Sequence, residues 1–377
     1  MVKTISGIRR LDTLKSVVTL LPSIILVGIF IYGFIGNTIY TSMTDWGKNA
    51  GLALNPVKHL IGLGNYKDLF TGFIHSRFRQ DMVNTIFYSL FLLAGTLGLG
   101  LFLAILLDRS VRCEGLFRTI FLYPMSLSFI VTGTIWRWLL APNGGINLIP
   151  EVFGLQKSSF LWISSRDSIL SFNWQNLPII LLVPVGLFTL FLFIRDIRSK
   201  KTARGIVYGI ITLLSVLYIF VFRNMFPPIL PFEEKHGLNL ATLGIILAGI
   251  WQYSGYTMAL YLAGLRGLSE SMKEAAMLDG ANEFQYYFRI AIPNIKPITL
   301  SAVIILAHIS LKLFDLIYAL AGADNINTGH PAINMYLTTF RANQFASGAA
   351  MAVILFLLAA LFIIPYMIHS HKERKVK

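Results

Sequence analysis

The chain has 377 residues, 55% hydrophobic and 13% charged, with a formal net charge of +14 and a mean hydropathy of +0.66. Soluble domains carry about 25% charged residues, so the composition excludes a soluble protein and indicates an integral membrane one. The basic residues are not gathered into one patch with interleaved aromatics, which excludes a nucleic-acid surface, and the single cysteine, Cys113, excludes an internal disulfide or a cysteine-based metal site.

Apolar runs of about 20 residues, enough to cross a bilayer, lie near 16–41, 83–107, 117–140, 174–194, 205–226, 240–262, 297–320 and 347–368. The first is too long for a cleavable signal peptide and no small-residue cleavage site ends it. Eight spans put both termini on one side. Most of the 32 basic residues fall on that side: Lys3 to Lys15, Arg109 to Arg118, Arg195 to Arg204, Arg266 to Lys296 and the tail. The positive-inside rule then places both termini in the cytoplasm. The opposite side holds 42–81, which is long for a loop and is expected to carry structure of its own. It also holds 141–173, with the turn signature Pro142-Asn143-Gly144-Gly145, then a short turn with Pro227-Pro228, and a glycine-bearing stretch near 321–346.

Two clusters of polar residues lie inside apolar runs, where they are expensive to bury. Gln252, Tyr253 and Tyr256 form one, beside Trp251. His308, Lys312 and Asp315 recur at i, i+4 and i+7, with Ser310 and Tyr318 nearby, and form the other. Aromatic faces and directional hydrogen bonds suit a sugar. Helix packing and an internal Lys312–Asp315 pair are the structural alternatives. Seven histidines show no metal-ligand spacing beyond His369 and His371 in the tail, and no catalytic set or GxxxxGK[ST] loop occurs, so any ATP hydrolysis belongs to a partner.

Between two apolar runs lies a polar but ordered stretch, Lys273–Pro297. Ser271-x-x-Glu274 predicts a capping box opening a short helix, with Met272, Ala275 and Ala276 on one small apolar face. Gly280 stands where positive φ is needed, Asn282 is placed to cap a second helix bearing Phe284, Tyr287 and Phe288, and Pro293 is expected to end it. The pattern is an exposed elbow at the water edge of the membrane.

Glu274-Ala275-Ala276, Asp279-Gly280-Ala281, Gln285 and Ile292-Pro293 closely resemble the EAA loop of ABC importer permeases. Tyr261 to Leu265 and Pro297 resemble its carbohydrate-uptake branch, the maltose and glycerol-phosphate type. The resemblance covers roughly 80–145 and 240–370. It implies an all-α integral membrane protein of about eight transmembrane helices: a six-helix permease core plus an inserted two-helix hairpin, both termini cytoplasmic. The segments are then a cytoplasmic N-terminus 1–15, a first span 16–41, an extracytoplasmic segment 42–81, core 82–173, inserted hairpin 174–226, core 227–368 with the EAA loop at 266–297, and a cytoplasmic tail 369–377. The family's glycine-rich sequence after Phe-Asp is replaced here by Ala321 to Asn325 and a later His330-Pro331, after Phe314-Asp315.

The resemblance also implies the working assembly. The chain would be half of a translocation pathway in a bacterial or archaeal plasma membrane. It would pair with a second permease, an ATP-binding subunit dimer holding ATP and Mg, and an extracytoplasmic solute-binding protein. Glu274, Ala275, Ala276, Asp279, Gly280, Gln285 and Pro293 would couple to the ATPase. Gln252, Tyr253, Tyr256, Ser310, Lys312 and Asp315 would meet a sugar-like solute. The rival reading is a self-contained, ion-driven secondary transporter, which would usually show internal repeats; no clear repeat is visible.

Overall fold

The computed structural model describes residues 17–48, 58–109, 111–199, 202–222 and 230–376, with the backbone alone for 202, 203, 222, 362 and 365–376. The basic N-terminus 1–15 and the Pro227-Pro228 turn lie outside the described residues. Among these residues, Val17–Ser42, Phe73–Asp108, Trp174–Arg198 and Arg204–Val221 are helical stretches long and apolar enough to cross a membrane. Two bent pairs, Glu114–Ser126 with Phe129–Leu139 and Glu283–Asn294 with Lys296–Ser310, raise the number to six if each pair is one span.

The hub is the Leu240–Arg266 helix, whose 27 residues reach about 40 Å. It packs along Ser76–Asp108, Glu114–Ser126 and Lys296–Ser310, so most of its surface is protein-covered. That cover explains how Gln252, Ser254 and Thr257 are tolerated in its middle: none of them faces lipid. Close approach requires glycine at the crossings. A Cβ on Gly100 would lie 1.9 Å from Thr257 Oγ1, and one on Gly255 would lie 1.9 Å from Phe121 O. Thr257 Oγ1 donates to Thr96 O at 2.8 Å, locking the first of these crossings.

Two expected spans are interrupted. The run 117–140 is not one helix: Glu114–Ser126 and Phe129–Leu139 meet at 100°. Leu127 is extended (φ −75°, ψ 143°), and Ser128 caps the second half by accepting from Val131 N–H. The run 297–320 likewise splits into Lys296–Ser310 and Phe314–Ala321. At the other extreme, Ser76–Asp108 begins well before the apolar run does, in residues assigned from the sequence to the outer segment.

The helical reading also omitted a small antiparallel sheet, Ser168–Asn173 with Lys235–Asn239, in the register Ser171 opposite Gly237. It forms the base of the inserted pair Leu177–Arg198 and Thr202–Leu217, whose helices pack on each other with Thr189 and Thr212 hydroxyls 2.8 Å apart. A buried polar chain fixes this base to the Ser76–Asp108 helix. Arg79 pairs with Glu234, and also donates to Leu69 O and Gly72 O at 3.1 and 2.8 Å. His236 bridges Glu234 and Gln80; Gln80 Nε2 donates to Asn84 Oδ1 at 2.7 Å, and Asn84 reaches Gly329 O at 3.0 Å. Burial pushes the His236 imidazole below the ordinary histidine range, while the Glu234 carboxylate acts the other way.

Arg79 is fully buried. Glu234→Ala would leave its guanidinium unpaired away from water, which costs on the order of 3–5 kcal/mol. The expected result is a clearly lowered unfolding temperature of the detergent-solubilised chain, with Glu234→Gln intermediate.

Candidate functional site

The elbow is built by two local devices. Glu270–Leu278 ends in a Schellman motif: Ala281 N–H bonds Ala276 O and Gly280 N–H bonds Met277 O, each at 3.0 Å, with Gly280 at φ +83°. Asn282 then opens the Glu283–Tyr286 helix with a capping box, accepting from Gln285 N–H at 2.8 Å while Gln285 Oε1 accepts from Asn282 N–H at 3.0 Å. Gln285 is therefore a capping residue, a role its position three after Asn282 signals.

One expectation here is corrected. Ser271 and Glu274 make no capping box, because the helix starts earlier, with Ser269 extended at the N-cap and Glu270 at the first position. Two serines two residues apart offered two starts, and the chain uses the first. The second helix widens into a π-helical segment, Tyr287–Ala291, and ends at Asn294, one residue after Pro293, where the chain bends by 67° into Lys296–Ser310. The wider turn accommodates a ring that an α-helical ladder would resist.

The elbow rests on the core through Ala276, Tyr286, Tyr287, Ala291 and Ile295, which pack against Ala104, Leu107, Tyr261 and Leu265. Tyr287 Oη donates to Asp108 Oδ2 at 2.7 Å, Arg109 pairs with Glu283 at 2.6 Å, and Arg266 pairs with Glu114 at 2.8 Å. Lys273 lies over the Tyr286 ring. What the elbow leaves outside is unusual for a polar loop: Leu278 is 88% exposed, Phe284 68% and Phe288 52%, with the two phenyl rings 4.2 Å apart. Glu274, Ala275, Asp279 and Gly280 are exposed beside them. The outward turn of Leu278 and Phe284 could not be read from spacing, because it depends on which helix face Ala276 takes into the core.

The second candidate cluster divides. His308, Lys312 and Asp315 line one cavity of about 310 Å³ with Phe129, Ile309, Leu313 and Leu316. They are brought together across the break at Leu311–Leu313 rather than along one continuous helix face. Among the described residues no ion pair joins Lys312 to Asp315, so the internal pair anticipated as a structural alternative is not formed. Ser310 is fully buried and bonds Ser89 Oγ at 2.7 Å. Gln252 is buried and donates to Leu127 O at 3.2 Å; Tyr253 is buried with its ring 6.1 Å from Phe129. Tyr256 is half-buried and does not line this cavity. Phe129 was missed, because a phenylalanine within an apolar run carries no signal of its own. Among the described residues no group of three or more His, Cys, Asp or Glu side chains is placed to hold a metal ion.

A buried helical hub, broken helices around a cavity and an exposed capped elbow define a membrane transport subunit. Residues 196–377 match the family described as binding-protein-dependent transport system inner membrane component. The chain is 35% identical over 94% of its length to a probable ABC transporter permease protein of Pyrococcus horikoshii, covering 94% of that protein. It is 29% identical to the xylose/arabinose import permease protein XacH of Haloferax volcanii, over 93% of this chain and 86% of that one. Among solved structures, a bacterial ABC transporter involved in the import of the acidic polysaccharide alginate has a similar fold, with TM-score 0.60 and 17% identity over 100% of this chain and 99% of that one. The chain belongs to the family of inner membrane permease components of binding-protein-dependent ABC transporters. It is a transport component, not an ATPase.

Gly280→Val would force positive φ on a β-branched residue at about 1–2 kcal/mol, and Asn282→Ala would remove a cap worth about 1 kcal/mol. Both variants are expected to reach the membrane. Less ATPase should copurify with each, Gly280→Val losing more, as measured by quantitative blotting against the tagged chain.

Proposed function

We propose that this chain forms one half of the translocation pathway of a binding-protein-dependent importer for a sugar or related polyol. It would pair with a second permease, an ATP-binding subunit dimer and an extracytoplasmic solute-binding protein. The observation that carries the reading is the rigid elbow presenting Leu278, Phe284 and Phe288 to water. Such side chains call for a partner surface, and the basic residues clustered at that end of the chain are what the cytoplasmic side attracts. In this reading eight segments cross the membrane, counting the buried hub, each broken helix and the Phe345–Val376 helix as spans, with both termini in the cytoplasm. Glu274, Ala275, Asp279 and Gly280 contact the ATPase, while Ala276, Gln285 and Pro293 shape and seat the elbow.

The sugar assignment rests on two supports. Relatives carry names such as the glucose import system permease protein GlcT of Saccharolobus solfataricus, 25% identical, and the trehalose/maltose transport system permease protein MalF of Thermococcus litoralis, 21% identical. The cavity supplies Lys312 and Asp315, charged groups without an ion-pair partner among the described residues, beside the Phe129 ring. Phe129, His308, Lys312 and Asp315 are the proposed solute contacts, with Tyr256 one turn from Gln252 as an accessory. Ser310 and Tyr253 serve packing, and Gln252 bonds the Leu127 carbonyl rather than solute.

The test is uptake of labelled glucose, xylose, arabinose, trehalose and maltose into vesicles of cells expressing the full transporter. ATP-dependent uptake insensitive to ionophores is expected. Uptake driven by an ion gradient without ATP would instead favour the secondary-transporter reading. Lys312→Ala and Asp315→Ala should each lower uptake roughly tenfold or more, the loss of one charged hydrogen bond. Basal ATP hydrolysis and copurification of the ATPase should stay near wild type.

A further inference from the structure

The break at Leu127-Ser128 gives up the main-chain hydrogen bonds that a continuous helix would make across it, and two side-chain bonds take the place of the one between Leu127 and Val131. In a continuous helix Leu127 O would accept from Val131 N–H, four residues on. In the bent form Val131 N–H is taken by Ser128 Oγ at 3.3 Å, and Leu127 O is taken by Gln252 Nε2 at 3.2 Å. A carbonyl at a helix end inside a membrane protein needs such a partner, because no bulk water reaches it. Gln252 lies on the hub, 2% exposed, and its buried Oε1 has no hydrogen-bond partner among the described residues. The amide is therefore engaged through its donor side alone. On the far side of the break, Phe129 lines the cavity and touches the Tyr253 ring next to Gln252 in sequence.

We propose that residues 114–139 form a two-state element, bent and straight, and that Gln252 is the positioning residue that latches the bent state. In the straight state Val131 N–H returns to Leu127 O, and the Ser128 hydroxyl and the Gln252 amide are both released. Phe129 is carried with the upper half, so the same motion reshapes the solute cavity. Gln252 acts through Leu127 and not by touching solute. This goes beyond the transport reading and does not depend on which solute is carried.

The angle is directly measurable. Spin labels at Leu116→Cys and Trp138→Cys, both exposed, would be placed in a Cys113→Ser background. The full chain, in the complex with which it copurifies, would be held in lipid nanodiscs and read by pulsed electron resonance. A straight helix separates these positions by about 33 Å, and the bent form is shorter by roughly a third. Wild type should show the short distance at every pH. Gln252→Leu removes the donor and should shift the population to the long distance. Gln252→Glu is the discriminating variant, because its protonated carboxyl can donate to Leu127 O and its ionised form cannot. Buried carboxyls titrate as high as about pH 8–9, so its short distance should hold at about pH 5 and give way to the long one by about pH 10. A merely packing role would not follow the charge of residue 252. A wild-type distance in Gln252→Leu, or no change with pH in Gln252→Glu, would overturn the proposal.

Discussion

The structure depends on how closely the Leu240–Arg266 helix lets its neighbours approach. Between helices in a membrane, lipid tails are as apolar as leucine, so burial of apolar side chains gives little drive for association. Backbone contact and interhelical hydrogen bonds must supply it. Gly255 brings the carbonyl of Phe121 against the hub, and Gly100 makes room for the Thr257 hydroxyl that bonds Thr96 O. Because those two crossings fix the neighbours on different sides, the hub can hold buried polar side chains at defined places. Gln252 reaches the broken helix only because Gly255 has drawn that helix in.

The elbow inherits its position from the same hub. Arg266, in the last turn of the hub, meets Glu114 at the start of the broken helix and also donates to Leu107 O at 3.1 Å. Asp108 and Arg109, at the end of the neighbouring helix, hold Tyr287 and Glu283 of the elbow. These contacts are at least partly exposed and individually modest in water. Their value lies in geometry: three helix ends and the elbow share one set of fixed distances. A push on Leu278 or Phe284 is then delivered to the ends of helices rather than absorbed within a loop.

What the sequence made legible was local chemistry. Gly280 and Asn282 were readable because one residue type satisfies each backbone demand, at a Schellman turn and at an N-cap. Ser271 misled because the helix already starts at Glu270, with Ser269 extended before it and no side-chain cap at all. The helix breaks were invisible for a different reason. Hydropathy sums side chains, and PMSLSFIV stays apolar on average, so the run reads as one span. The bond exchange at Leu127 involves Gln252, which is 125 residues away. Periodicity predicted that His308, Lys312 and Asp315 lie together, and they do, but through an interruption rather than along a face. It could not say that Ser310 turns inward to Ser89.

The cavity itself is one-sided. Lys312 and Asp315 are exposed on this chain, while the opposite walls available to them, Phe129, Leu313 and Leu316, are apolar. Two charges of opposite sign with no ion-pair partner among the described residues are costly within a membrane unless water or polar groups reach them. In the proposed assembly, a second permease facing this surface would supply the missing wall and enclose a polar path between the two chains. On that view the charges are not a defect of a solitary chain. In that assembly their exposure would let a hydroxyl-rich solute exchange its water for protein contacts without first prising apart an ion pair.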